Sequence, residues 1–297
     1  MKSNGPRLFC FGLGYSALAL AGRLRARGFA IAGTVRTPDK VPALQARGFD
    51  VHLFDRGRPL ADFAGALAGA SHILSSVPPD GGGDPVIDLH GDDLLLLGGI
   101  EWAGYLSTTG VYGDRGGNWV DEDSPLDPGT DRGARRVAAE AAWAGTGLPE
   151  HLFRLAGIYG PGRNPMVGLR AGTARCVVKP GQIFSRIHVD DIAAVLEASI
   201  DRPAPGRAYN VCDDEPAPPW EVIEYAAALI GMDPPPRVPF EAAELSPMGR
   251  SFWTESKRVS NQRLHRELGV RLAYPTYREG LAAILAREAG DGDPGSL

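Results

Sequence analysis

Four apolar residues, Leu8-Phe9-Cys10-Phe11, run without a polar break into Gly12-Leu13-Gly14-Tyr15-Ser16-Ala17 and then into LALAGRLRARG. A strand apolar on both faces belongs in a parallel sheet covered by helices, and a glycine turn opening directly into a helical pattern makes this the first half of a βα unit. In that context the turn is the GxGxxA form of the dinucleotide-binding fingerprint. Gly12 allows the tight turn, Gly14 lets the backbone approach a pyrophosphate, and Ala17 lets the helix pack closely on the strand. The open N–H groups at the helix start, around Tyr15 and Ser16, attract the anion. Along the helix Leu18, Ala21 and Leu24 form one face with Arg23, Arg25 and Arg27 outside it, and Gly28 marks the stop.

Short apolar runs then alternate with helical patterns as far as Cys212, which predicts an α/β fold with a doubly wound, Rossmann-type parallel sheet. Strands are expected at Leu8–Phe11, Ala30–Val35, Val51–Phe54, His72–Val77, Ala103–Ser107, Leu152–Leu155 and Ala208–Val211. Beyond Cys212 proline-rich stretches such as DDEPAPPW and GMDPPPRVPF break the pattern, with helices expected near Glu221–Ile230, Val259–Leu268 and Thr276–Ala286. At 297 residues the chain exceeds the usual single-domain size. The division expected is a nucleotide-binding domain over 1–162 with 186–213 returning to it, a smaller C-terminal substrate lobe from 163–185 and 214–289, and a disordered tail over 290–297.

A net charge of −5 argues against general nucleic-acid or anionic-membrane binding. No apolar run approaches the roughly 20 residues of a membrane span, and the N-terminus MKSNGPRLFC lacks the order of a signal peptide, so a soluble cytoplasmic protein is expected. Cys10, Cys176 and Cys212 are odd in number and far apart, which reads as buried thiols, and the scattered histidines predict no metal site. Lysine occurs only at Lys2, Lys40, Lys179 and Lys257.

The second strand ends in Thr34-Val35-Arg36-Thr37 with no acidic residue for the ribose hydroxyls of NAD. Arg36 suits a 2′-phosphate, so NADP is preferred over NAD. Asp55 can accept from the adenine amino group or cap a turn. Val77, in the turn Ser76-Val77-Pro78-Pro79, falls at the cofactor, and Asp84 and Asp88 follow toward its nicotinamide end.

The run Leu106-Ser107-Thr108-Thr109-Gly110-Val111-Tyr112-Gly113 resembles the SSxxVYG motif of the extended short-chain dehydrogenase/reductases, the NAD-dependent epimerase/dehydratase family. Arg154–Arg163 (RLAGIYGPGR), Arg186–Ala193 (RIHVDDIA) and Tyr209–Asp213 (YNVCD) support the resemblance in the family's order. It implies that Thr108 orients a reacting oxygen and that a YxxxK pair supplies the proton relay. Here alignment on Ala139-Glu140 puts Arg132 on the tyrosine and Arg136 on the lysine. A guanidinium stays protonated at any working pH and cannot replace the tyrosine as an acid. At i and i+4 the two arginines share a helical face, where with Arg163 they suit a substrate phosphate or carboxylate; the plainer reading is a solvated face with Arg136 paired to Glu140. Tyr112 is the nearest remaining candidate acid, although such tyrosines more often pack beside the site. Asp190 and Asp191 read as caps of the helix after His188. Tyr15 takes the place of the second glycine in the family's GxxGxxG. Related folds often dimerise through helices flanking the sheet, which makes a homodimer an expectation, but Asp88–Leu97 is too short a signal to assign to such an interface and its LLLL run reads as core. The activity expected is NADP-dependent oxidation–reduction or epimerisation of a small polar, sugar-like or anionic substrate; the rival is a non-catalytic NADP(H)-binding sensor.

Overall fold

The computed structural model describes residues 5–291. The seven expected strands all form and lie in one sheet: β1 (Arg7–Phe11), β2 (Ala30–Val35), β3 (Asp50–Leu53), β4 (His72–Ser75), β5 (Trp102–Thr108), β6 (Glu150–Leu155) and β7 (Arg207–Val211). Their order is β3-β2-β1-β4-β5-β6-β7 and every pairing is parallel. One face is covered by α1 (Tyr15–Ala26) and α4 (Val189–Asp201), which bury Leu20, Leu24, Ile192 and Leu196 against Leu8, Cys10 and Leu74. The opposite face is covered by α2 (Pro85–Leu95) and α3 (Asp131–Ala144), with Val86, Leu94 and Trp143 against Phe9, Phe11 and Tyr105. Helices on both faces are what strands apolar on both sides require. The order reverses between β1 and β4, so a crevice opens there beyond the carboxyl ends of the strands.

A separate apolar cluster gathers the short helix Pro165–Arg170, α5 (Pro219–Leu229) and α6 (Tyr277–Asp291) around Met166, Leu169, Val222, Ala226, Leu281 and Ile284. A smaller one joins Val177, Ala243 and Trp253 beside the parallel pair Cys176–Val178 and Arg237–Pro239. The two-residue strands Trp119–Val120 and Arg258–Val259 pair in parallel and bring the chain after Trp253 back to the rim of the main sheet.

Three expectations are corrected. The Val259–Leu268 pattern is helical only from residue 262: Val259 is in a strand, and 262–263 lead into a π turn over Leu264–Leu268. Helix α6 continues to Asp291, so Gly290 is helical, while 292–297 lie outside the described residues. In the LLLL run Leu94 is core, but Leu95 and Leu96 are 59% and 85% exposed. Cys10, Cys176 and Cys212 are free and buried, and burial pushes the Cys10 thiol up to about 12.

Beneath the crevice a buried ion pair joins α3 to β6. Arg154 donates from Nη2 to Glu140 Oε2 at 2.9 Å and from Nε to both carboxylate oxygens at 3.2 and 3.3 Å. Ser107 donates to Glu140 Oε1, and Arg154 Nη1 donates to the Tyr112 hydroxyl at 3.0 Å. That hydroxyl in turn donates to Asn210 Oδ1 at 2.7 Å, so α3, β5, β6 and β7 meet in one polar network. Just beyond, Gly113 turns the chain at φ +68° and ψ −157°, a region only glycine occupies readily, and a Cβ there would stand 1.8 Å from the Asp127 carbonyl oxygen.

Two stability measurements follow. Glu140→Ala strands the buried guanidinium and should cost about 3–5 kcal/mol in urea unfolding, well beyond the cost of Glu140→Gln. Gly113→Ala should lower the thermal midpoint by more than any glycine-to-alanine change at Gly14; equal midpoints would contradict the close approach to Asp127.

Candidate active site

The crevice is a cleft of about 850 Å³ between the strand ends and the helices of the second cluster. At its base Gly12 turns at φ +88°, its N–H donates to Thr34 Oγ1 at 2.8 Å, and Ser76 Oγ donates to its carbonyl at 2.6 Å. A Cβ on Gly12 would lie 2.7 Å from Ser76 Oγ, so the turn tolerates only glycine. Gly14 differs: a Cβ there would meet nothing within 4 Å, and the residue faces the cleft. No neighbour among the described residues demands glycine at this place, and the bare backbone is left open to the cleft. Helix α1 has no side-chain N-cap and no acidic residue in its first turn, leaving its start electropositive. These residues fit a dinucleotide pyrophosphate.

Tyr15 and Ser16 line the cleft, and Ala17 is buried between helix and sheet. Tyr15 donates its hydroxyl to the Pro161 carbonyl at 2.9 Å, with the Arg163 guanidinium 6.0 Å from its ring, and so straps the Gly160–Arg163 loop to the glycine turn. Arg36 is exposed after β2 and makes no side-chain ion pair among the described residues. Asp55 is engaged in a turn: it accepts from Gly57 N at 2.9 Å and from Arg58 Nη2 at 2.6 Å, and the Arg58 hydrogen bond holds its carboxyl below the usual range. Val77 packs behind Gly12, while its neighbours Ser76, Pro78 and Pro79 line the cleft.

At the other end Thr108 closes β5, lines the cleft and accepts from Gly110 N at 3.2 Å, which leaves its own proton free to donate. Tyr112 does not reach the cleft. It is fully buried in the Arg154 network, and burial pushes its hydroxyl up to about 12, so it is a structural tyrosine and not an available acid. Arg132 and Arg136 both line the cleft. The Arg132 guanidinium lies 4.1 Å from the centre of the Phe252 ring. Arg136 is not paired with Glu140, whose carboxylate belongs to Arg154; it donates to the Leu106 carbonyl at 2.7 Å and to the Tyr105 hydroxyl at 3.0 Å.

The remaining acidic candidates are employed elsewhere. Asp84 caps α2 and accepts from Trp143 Nε1 at 3.2 Å, and Asp88 pairs with Arg56 at 2.7 Å. The cap of α4 is His188, not an aspartate; Asp191 accepts from Ala273 and Tyr274 N–H groups, and Asp190 pairs with Arg287.

Sequence reasoning missed Arg186, Glu255, Lys257 and Tyr277, all of which line the cleft. Arg186 donates to the carbonyls of Phe184 and Ala217 at 2.9 and 3.2 Å. Behind it burial pushes the Asp213 carboxyl up to about 8, against the opposing pull of Arg186. Lys257 Nζ is 2.7 Å from both the Gly113 carbonyl and Glu255 Oε2. Arg186 opens the RIHVDDIA segment and Tyr277 lies in the last expected helix, but neither segment points to a site role for it, and for Glu255 and Lys257 the one hint is that lysine is scarce in this chain. In total the cleft is lined by Arg132, Arg136, Arg163, Arg186 and Lys257 against Glu255 alone, a cationic hollow in a chain of net charge −5.

No protein-family model matches the sequence. The Escherichia coli K12 protein YeeZ is 31% identical over 278 residues, spanning 89% of this chain and 94% of YeeZ. A solved conserved protein of unknown function from Silicibacter pomeroyi is 52% identical and superimposes with a TM-score of 0.89 over 95% of this chain and 99% of its own. The human epimerase family protein SDR39U1, solved with NADPH, shares the fold at 18% identity, with a TM-score of 0.73 over 94% of this chain and 99% of its own. The near full-length match at 31% identity means that the chain belongs to one family with YeeZ, and its fold is the one seen in the solved epimerase family proteins.

Proposed function

We propose that this chain is an NADP(H)-dependent oxidoreductase acting on a small anionic substrate. The observation that carries the reading is the charge of the cleft: five cationic side chains and one carboxylate, directly above a glycine turn open to a ligand. Clefts of one sign concentrate and orient oppositely charged molecules, and both a pyrophosphate and an anionic substrate match this one.

In this reading the Gly12–Ala17 turn holds the pyrophosphate and Arg36, exposed beside the second strand, holds the 2′-phosphate. A nicotinamide dinucleotide supplies hydride transfer when bound. Thr108 donates to the reacting oxygen, while Arg132, Arg136 and Arg163 hold the substrate's anionic group. Segments 163–185 and 214–289 form the lobe that closes over it. The buried, unpaired thiols agree with a reducing compartment and thus a cytoplasmic location.

One observation favours the rival, a non-catalytic NADP(H) sensor: Arg132 is stacked on Phe252 and Arg136 is held by the β5 strand end, so the helix that bears the usual acid here does structural work. Binding and turnover separate the two. Calorimetric titration should give micromolar binding of NADP+ and NADPH, weakened about tenfold or more in Arg36→Ala with NAD+ and NADH little changed, and abolished for every nucleotide in Gly14→Val. Binding of no nucleotide would sink both readings. NADPH oxidation with a panel of carbonyl acids is expected of the enzyme and not of the sensor.

A further inference from the structure

We infer that Lys257, held by Glu255, is the group that meets the reacting carbonyl and gives it a proton, in place of the missing tyrosine and lysine of α3. The inference rests on the oxidoreductase reading above for the proton step, but not for the carbonyl site itself.

One 3-10 turn, Thr109–Tyr112, is gripped from the cleft at both ends. Thr108 caps its start, accepting from Gly110 N at 3.2 Å, and Lys257 caps its end, with Nζ donating to the Gly113 carbonyl at 2.7 Å. Lys257 thus stands four residues of turn away from Thr108, the residue expected to orient the reacting oxygen, and both side chains line the same cleft. An ammonium has three N–H donors. Two are used, on Gly113 and on Glu255 Oε2 at 2.7 Å, and the third is available to a ligand.

Glu255 supplies the second observation. Its Oε1 is buried and has no hydrogen-bond partner among the described residues, an arrangement that costs free energy unless a donor arrives. A substrate hydroxyl or bound water in the cleft would satisfy it. The segment that carries the pair is fixed at both ends: Phe252 stacks on Arg132, and Arg258–Val259 pairs with Trp119–Val120. Gln182 Nε2 also donates to the Glu255 carbonyl at 2.6 Å. The lysine is therefore placed by backbone structure and not by a flexible loop.

The step balances simply. The carbonyl carbon takes a hydride, two electrons and a proton's mass, from a reduced nicotinamide dinucleotide; the C=O π bond breaks, and the oxygen takes a proton from Lys257 Nζ. The product is an alcohol, and the neutral amine regains its proton from water. Arg136 and Arg132, which cannot give up a proton, are left to hold the substrate's charge.

The scarcity of lysine makes the test clean. Pyridoxal 5′-phosphate, an anionic aldehyde, is trapped on lysines of the wild-type protein with borohydride, and the labelled peptides are quantified by mass; Lys40, which is exposed, serves as the internal reference. Labelling of Lys257 should saturate with reagent concentration, as capture from a bound complex does, while that of Lys40 rises linearly. Linear labelling of Lys257, no faster than Lys40, overturns the carbonyl site whatever the turnover data show. In NADPH oxidation with phenylglyoxylate and pyruvate, Lys257→Met should lower kcat by about 100-fold or more with NADPH affinity unchanged in calorimetry. A Met variant as fast as wild type overturns the proton role. Saturable capture at Lys257 in a protein that oxidises NADPH with neither acid would leave the carbonyl site standing and count against the oxidoreductase reading instead.

Discussion

Arg154 carries a permanent positive charge into the interior between β6 and α3, and the arrangement that makes this tolerable organises the whole carboxyl end of the sheet. A buried guanidinium is stable only with a geometrically good counter-ion and with its other donors satisfied. Glu140 provides the first in bidentate form, and Tyr112 and the Glu122 carbonyl provide the second. Because Glu140 is one turn beyond Arg136 and two beyond Arg132, anchoring it to Arg154 sets how far along the cleft those arginines stand. The same network takes Ser107 and Tyr112 out of chemistry and into support. Ser107 and Thr108 both line the cleft, but the Ser107 hydroxyl is committed to Glu140, which leaves Thr108 as the strand-end hydroxyl free to meet a ligand.

The fold was legible because its signals are local and repeated. Seven apolar runs, each delivered into a turn and a helical pattern, specify strands that must be covered on both faces, and all seven entered one parallel sheet. The glycine turn was legible for the same reason, since the constraints on Gly12 come from residues of the strand ends beside it. What local pattern could not show was where long polar side chains would turn. Arg136 and Glu140 sit at i and i+4, a spacing that normally pairs opposite charges on a solvated surface. Here one turns outward to Leu106 and Tyr105 and the other inward to Arg154, because an unpaired buried guanidinium costs far more than a surface pair is worth. Asp190 and Asp191 misled in the same way: a helix start suggests caps, but the cap came from His188, and distant backbone N–H groups claimed Asp191.

The cleft residues missing from the sequence reading share one property, which is that they arrive from far along the chain. Arg186, Glu255, Lys257 and Tyr277 reach a site whose motif ends at Gly113. The segment carrying Glu255 and Lys257 lacks the periodicity that identifies an element, and although Arg186 and Tyr277 lie in recognisable segments, nothing short-range aims either side chain at the cleft. The electrostatic result is also invisible in composition: a chain with five more acidic than basic residues concentrates five cations in one hollow, while its carboxylates are spent on surface pairs such as Arg27–Asp201 and Arg237–Glu224. Net charge therefore argues against a polyanion spread over the whole surface and says nothing against a small anion in the cleft.

The resemblance implies a tyrosine and a lysine where Arg132 and Arg136 stand, and such a replacement changes which part of the molecule can deliver a proton. A helix bearing guanidiniums holds charge well and transfers protons badly, so any acid has to come from another wall of the cleft. Lys257 is on the segment between the second apolar cluster and the strand pair at the sheet's rim, and its contacts to Gly113 and Glu255 cross from that segment to the motif turn. An acid placed there is in register with Thr108 only while that segment is docked, whereas one on α3 is held by the sheet itself. Phe252 against Arg132 and the Ser256 backbone bonds with Arg115 and Gly117 are among the contacts that dock that segment on the motif side.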